Sequence, residues 1–323
     1  MWLEHDERVG DTRLHVRTFD AFAPEDAPVA LLLHGWPQDG TCWEPVATRL
    51  HAAGYRVVAP DLKGFGRSDA PRRGYDPATL ADETSQLIRA LTPGKALLVG
   101  HDWGGAVALA TAFRHPGRVR AMVTASSPFR QLDLTAAWHI PLLNLPIAPQ
   151  VAFKLAGGPL TRAAIRYSAV NQEPFDDEAM ARYGAAVSAA PSGWLSYYRT
   201  LSRAAVIDWG VRRVRRRASF LRPPDGPNRL RVPTTVVWGA RDRVTPVHLA
   251  PRVAHDLEAE LVVVDDVGHF VHEEAPDAFA DAVLALAARA DGGTDDDTDA
   301  PSAAGPTSTV DGARTRRSRR RGR

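Results

Sequence analysis

The chain has almost no cysteine, no long apolar run and no surplus of charge of either sign. Cys42 is the single cysteine among 323 residues, which excludes an internal disulfide framework and any site built from several thiolates, and fits a reducing compartment. Its simplest role is that of a small buried residue on a helix. No stretch approaches the roughly 18 consecutive apolar residues of a membrane-spanning helix, and the opening MWLEHDERVGD lacks the apolar core of a signal peptide. A cytoplasmic protein without stable membrane insertion is the expectation. Lys and Arg number 40 against 38 Asp and Glu, and the basic residues bunch at 212–217 and 314–323. That balance gives no reason to expect a nucleic-acid partner.

What is present fits one large α/β domain with an insertion: 44% of residues are hydrophobic and 24% charged. Thr12 to Phe19 alternates Leu14, Val16 and Thr18 with polar residues, and Gly10-Asp11 turns it back on a strand near Trp2 to Arg8. Val29 to Leu33, Arg56 to Ala59, Ala96 to Val99, Ala121 to Ala125, Thr234 to Trp238 and Leu261 to Val264 are short apolar runs, as strands covered on both faces of a parallel sheet require. Helices are expected from about Thr41 to Ala53, after Asp76-Pro77, over Ala106 to Phe113, and around Phe279, Val283 and Leu286.

The strand–helix alternation stops at Ser126-Ser127-Pro128 and resumes at Thr234. The interval has helical patterning and gathers Tyr183, Trp194, Tyr197, Tyr198 and Trp209, so a helical cap is expected over the crevice at the carboxyl edge of the sheet. The expected divisions are a core of 1–128 and 223–290, a cap of 129–222, and a tail of 291–323 too poor in apolar residues to order itself.

The stretch KALLVGHDWGG, Lys95 to Gly105, carries the chemistry. An apolar strand ends in a tight turn flanked by Gly100 and Gly104, with Asp102 at its apex, before a helix begins. A carboxylate there can attack an sp3 carbon and leave an ester that water later cleaves. The second step needs a base, a group to orient it and donors for an oxyanion. His269, in the loop after the last strand, is the candidate base, with His272 as its competitor. Asp242 is the candidate orienter, with Asp265 and Asp266 as alternatives, and the backbone N–H groups of Trp36 and Trp103 are the candidate oxyanion donors. His34 is expected to satisfy loop backbone, and the glycine-rich loop PDLKGFGRSDAP is assigned no chemistry.

HGWPQ at 34–38, DLKGFGRSD at 61–69, GHDWGG at 100–105, WGARD at 238–242 and GHF at 268–270 together resemble the α/β-hydrolase superfamily, and its epoxide hydrolase branch most closely. The resemblance spans Trp2 to Arg289. It implies an α/β-hydrolase fold: a mostly parallel sheet, helices on both faces, and a cap inserted after the sixth strand. It implies cofactor-free conversion of a small apolar epoxide and water to a vicinal diol, without a metal. Such enzymes use two cap acids, usually tyrosines, to protonate the opening ring. LSYYRT at 195–200 resembles the second tyrosine's motif and points to Tyr198. In AAWHIPLLNLP at 136–146 the position matching the first tyrosine is His139. Trp138, Trp194 and Tyr197 are expected in the substrate pocket. Haloalkane dehalogenases are similar at several of these positions, with Trp103 and Trp138 or Trp194 as halide donors. A non-catalytic binding member of the fold is the third possibility.

Overall fold

In the computed structural model, residues 2–19, 24, 26–127, 133, 136, 138–200 and 230–292 are described. Strands β1 (Trp2–Val9) and β2 (Thr12–Phe19) form the opening hairpin, turning at Gly10-Asp11. β2 runs antiparallel to β4 (Arg56–Pro60); β3 (Val29–Leu33), β5 (Ala96–His101), β6 (Val119–Ala125), β7 (Thr234–Gly239) and β8 (Glu260–Val264) complete an eight-stranded sheet in parallel pairings. The spatial order is β1-β2-β4-β3-β5-β6-β7-β8.

Alternate side chains feed two cores, because successive residues of a strand point to opposite faces. Leu31, Leu33, Val58 and Leu98 join the core beneath α2 (Pro77–Leu91) and α3 (Trp103–Arg114). Ala30, Leu32, Val57 and Val99 join the one beneath α1 (Glu44–Ala52) and α10 (Pro276–Gly292). Burying a leucine or valine of this kind contributes about 1.5–3 kcal/mol, which is why the central strands read as unbroken apolar runs. Asp76 caps α2 by accepting the Thr79 N–H at 3.0 Å, with Pro77 in the first turn. Cys42 is buried in the single turn Gly40–Trp43 ahead of α1; burial, with the charges of Glu273 and Asp39, pushes its thiol pKa well up.

Between β6 and β7 the regular elements among the described residues are helices: α4 (His139–Leu143), α5 (Ala148–Ser168), α6 (Asp177–Ala189) and α7 over 191–200. α5 bends at Ala156, φ −131°, three residues before Pro159, whose ring is incompatible with a straight helix. Of these, α4, α5 and α7 line the roof of the cavity described below, and α6 packs on α5 behind it. α8 (Ala250–Leu257) packs on β7, and α9 (Val271–Glu274) follows β8. The final helix extends past the expected boundary at 290: it runs through Gly292, and Asp291 pairs with Arg120 of β6. Trp209, the basic run at 212–217 and residues 293–323 lie outside the described residues.

Candidate active site

The chain goes from β3 to β4 on one side of the sheet and then crosses back to β5 on the other. At such a switch of direction the loops leaving the two strands diverge and open a crevice at their carboxyl ends. Trp36 follows β3 and Asp102 follows β5, so the topology alone sets them across that crevice.

Asp102 adopts φ 47°, ψ −117°. An L-residue at such angles costs about 1–3 kcal/mol and persists only where its surroundings enforce it. They do so here. A Cβ at Gly104 would lie 2.0 Å from the Leu33 carbonyl oxygen, and one at Gly100 would lie 2.4 Å from that of Gly104. Glycine at both positions lets strand and helix close up, and the apex side chain is driven into the crevice. The Trp36 N–H donates to Asp102 Oδ2 at 3.1 Å, and the Trp103 N–H donates to the same carboxylate. Burial raises the Asp102 pKa to about 6, against the lowering influence of His269 and the two N–H donors.

His269 Nδ1 lies 2.9 Å from Asp242 Oδ2. Asp242 also accepts the N–H groups of Val244 and Thr245 at 2.8 and 2.9 Å and the Thr245 hydroxyl at 2.7 Å. Burial works against both charged forms, but the pair offsets it: the Asp242 pKa is lowered, and the His269 pKa is raised by Asp242 and, less, by Asp102. With Nδ1–H donating to Asp242, Nε2 is the basic nitrogen. His272 sits elsewhere: its Nε2 is 3.1 Å from Gln38 Nε2, its ring packs on Trp43, and burial drives its pKa well down. Asp266 pairs with Arg241 at 2.9 Å instead of with His269. His34 does bind loop backbone, bonding Gly35 O and accepting the Leu62 N–H, each at 2.9 Å.

Asp102 and His269 open into a cavity of about 420 Å³ whose wall includes Trp36, Trp103, Trp138, His139 and Tyr198. The rest is mainly apolar, with Ile140, Leu143, Phe153, Leu160 and Phe270. The Tyr198 ring stands edge-on to Trp103 at 5.0 Å and to His139 at 6.3 Å. Burial and then the nearby Asp102 charge raise the Tyr198 pKa, so the phenol keeps its proton; burial and then the His269 charge lower that of His139, so its imidazole is neutral near pH 7. A larger cleft of about 600 Å³, lined by Arg162, Arg166, Arg241 and Arg243, contains no nucleophile paired with a base among the described residues. Nor do three His, Cys, Asp or Glu side chains converge as metal ligands among them.

Residues 28–276 match the model of the alpha/beta hydrolase fold family. The chain belongs to that family. It is 30% identical over 280 residues to the AB hydrolase superfamily protein YfhM of Bacillus subtilis, covering 81% of this chain and 90% of that one. It is 28% identical over 269 residues to epoxide hydrolase 3 of Xenopus tropicalis, covering 77% and 68%. Its fold is similar to that of epoxide hydrolase VrEH1 from Vigna radiata, with a TM-score of 0.72 at 23% identity over 89% and 98% of the two chains.

Two expected pocket residues of this α/β-hydrolase fall outside the cavity wall. Trp194 is fully buried one layer back, packed on Trp36 and Phe153, with its indole N–H donated to Val187 O at 3.0 Å. That commitment also removes it as a halide donor. Tyr197 turns the opposite way and donates its hydroxyl to Lys63 O at 3.0 Å. Trp138 does line the cavity, at its rim, with 57% exposure. Sequence reasoning missed Phe153, Leu160, Ala164 and Tyr167, which make a stripe along one face of α5; their spacing of seven, four and three residues was the available signal. It also missed Thr245, three residues after Asp242, the offset at which a side chain closes a local turn on an aspartate.

Proposed function

We propose that this α/β-hydrolase is an epoxide hydrolase acting through a covalent ester on Asp102. The observation that carries the reading is a carboxylate, in place of serine, at the apex of the turn, sharing one apolar cavity with the Tyr198 phenol and the His139 imidazole. The Asp102 carboxylate attacks an epoxide carbon, the carbon–oxygen bond breaks, and the departing oxygen takes a proton from the Tyr198 phenol while the His139 imidazole donates a hydrogen bond to it. His269 Nε2 then removes a proton from water, and the resulting hydroxide attacks the ester carbonyl. The Trp36 and Trp103 N–H groups stabilise the oxyanion; its collapse breaks the ester C–O bond, the departing diol oxygen takes the imidazolium proton, and the proton left on the Asp102 carboxyl returns to the Tyr198 phenolate. Every atom and proton is supplied by epoxide, water and these side chains, so the scheme uses no cofactor or metal. The relatives named as epoxide hydrolases support the same reading.

The apolar wall suits a small uncharged epoxide, α4 to α7 act as its cap, and a cytoplasmic location fits a chain in which, among the described residues, no helix is long and apolar enough to cross a membrane. A panel of terminal, cyclic, aryl and fatty-acid epoxides scored for diol tests the reading; no diol from any of them, at any enzyme concentration, overturns it. One observation favours haloalkane dehalogenation as the second reading: the buried indole N–H of Trp36 has no partner among the described residues and could hold halide. Halide release from a matched haloalkane panel separates the two.

A further inference from the structure

We propose that Glu274 is a positioning residue that fixes the His269 loop and ties it to the point where the helical roof leaves α5. The proposal rests on His269 being the base that activates water. Glu274 ends α9, five residues after His269, and is buried. Its carboxylate accepts four backbone N–H groups. Oε2 takes those of Gly268, Val170 and Asn171 at 3.0, 2.8 and 3.0 Å, and Oε1 takes that of Phe270 at 3.1 Å. Two of these donors are the immediate neighbours of His269 in sequence; the other two belong to the segment that follows α5.

The remaining backbone groups of His269 are fixed as well. Its N–H donates to Ser168 O at 3.1 Å, and its carbonyl lies 2.9 Å from His101 Nε2. Gly268 is pressed between Ser168 and Glu274: a Cβ there would meet Ser168 O at 2.4 Å and Glu274 Oε1 at 2.9 Å. The main chain at 268–270 is therefore held from the α5 end and from Glu274 together, and the imidazole is delivered to Asp242 from that frame.

No Lys or Arg among the described residues ion-pairs with Glu274, so its charge is met by N–H dipoles. Only an acceptor-only group suits this setting. An amide would turn an NH2 donor toward either the Phe270 N–H or the three donors at Oε2. Because the 268–270 loop and the 170–171 segment share one carboxylate, a shift of that segment is transmitted to the base, while Asp102, anchored on β5 and α3, is left in place. A misplacement of about 1 Å at a reacting group costs about 10²-fold in rate.

The test uses the whole chain with Glu274→Gln and Glu274→Asp, and styrene oxide as probe. Rapid quench and mass spectrometry resolve ester formation from ester hydrolysis, and the far-downfield NMR signal of the His269 Nδ1 proton reports its bond to Asp242 without any substrate. Glu274→Gln should slow hydrolysis by 10- to 100-fold with ester formation changed less than threefold, so that ester accumulates, and should shift or broaden the Nδ1 proton signal. Glu274→Asp, which keeps the charge, should recover part of the hydrolysis rate and of the signal. If Glu274→Gln does not fold, Glu274→Asp is read alone against wild type by the same two measurements, with a smaller change of the same kind. Equal slowing of both steps, or an unchanged hydrolysis rate with an unchanged Nδ1 signal, overturns the proposal. Should wild type form no ester with any epoxide, the functional reading fails, and the proton signal alone decides whether Glu274 sets His269.

Discussion

Across the cavity, Asp102, Asp242 and His269 on the sheet side are held by networks of directed bonds of 2.7–3.1 Å, whereas Tyr198 and His139 on the roof side have one hydrogen bond each, with the Trp103 side chain and the Ala136 backbone, and otherwise meet their neighbours through ring contacts such as those at 5.0 and 6.3 Å. The sheet side owes its fixity to backbone: N–H groups of Trp36, Trp103, Val244 and Thr245 reach the two carboxylates from loops anchored in buried strands. The roof instead offers alanine, leucine and aromatic surface, and its outer face leaves Ile147 and Leu155 72% and 82% exposed. On the proposed reading, the atoms that make and hydrolyse the ester tolerate little displacement and are tied to the sheet, while the roof supplies the donors to the departing oxygen and a non-directional apolar surface for the substrate, which side-chain changes alter at small cost.

Substitutions that cross this division should break it in graded steps. Asp102→Asn should lower turnover by about 10⁴-fold or more and leave no ester detectable by mass spectrometry, since a neutral amide replaces the anionic nucleophile. His269→Gln should come next: turnover falls by about 10³-fold or more while ester forms and accumulates, because only the second step needs the base. On the roof, Tyr198→Phe should slow ester formation by about 10²-fold with hydrolysis of preformed ester unchanged, and His139→Ala should do the same to a smaller degree. Equal effects on both steps would place these residues in the architecture and not in the chemistry.

Titration sharpens the same contrast. A protonated carboxyl is not a nucleophile, so with the Asp102 pKa at about 6, ester formation should fall about tenfold per unit as pH drops below that value and level off above it. Stopped-flow rates flat from pH 4.5 to 7 would contradict it. The smallest effect concerns stability. Glu273, buried between Tyr183 of the roof and Gln38 of the core, has its pKa raised by burial to about 8. The folded state binds the proton more tightly than the unfolded one, so this contribution is full below about pH 4.5 and is lost as pH rises toward 8. Glu273→Gln should flatten the decline in melting temperature over that range; an unchanged slope would assign the decline to other groups.

The turn at Asp102 was legible because its causes are local: an apolar run, two glycines and a helix within eleven residues. The contact of Asp242 with His269 was legible from chain order and strand ends, since both side chains leave adjacent strands, β7 and β8, on the same edge. Trp194 and Tyr197 were not. Helical patterning groups aromatics together, but which of them turns into a cavity depends on the facing loop, and here Lys63 O draws the Tyr197 hydroxyl away. The loop assigned no chemistry proves to be a hub, in which Asp61 pairs with Arg17 and accepts the N–H groups of Gly40 and Arg67 at 2.9 and 2.8 Å. Glu274 left no trace in the pattern because its partners are backbone donors, two of them more than 100 positions away.

The covalent ester is the claim on which both halves of the comparison depend, and isotope incorporation tests it most directly. In a single turnover run in heavy-oxygen water with enzyme in excess, the label should enter the Asp102 carboxylate, detectable in its tryptic peptide, while the first diol carries unlabelled oxygen from that side chain. Label in the first diol, with Asp102 unlabelled, would mean that water attacks the epoxide directly and that Asp102 is not the nucleophile.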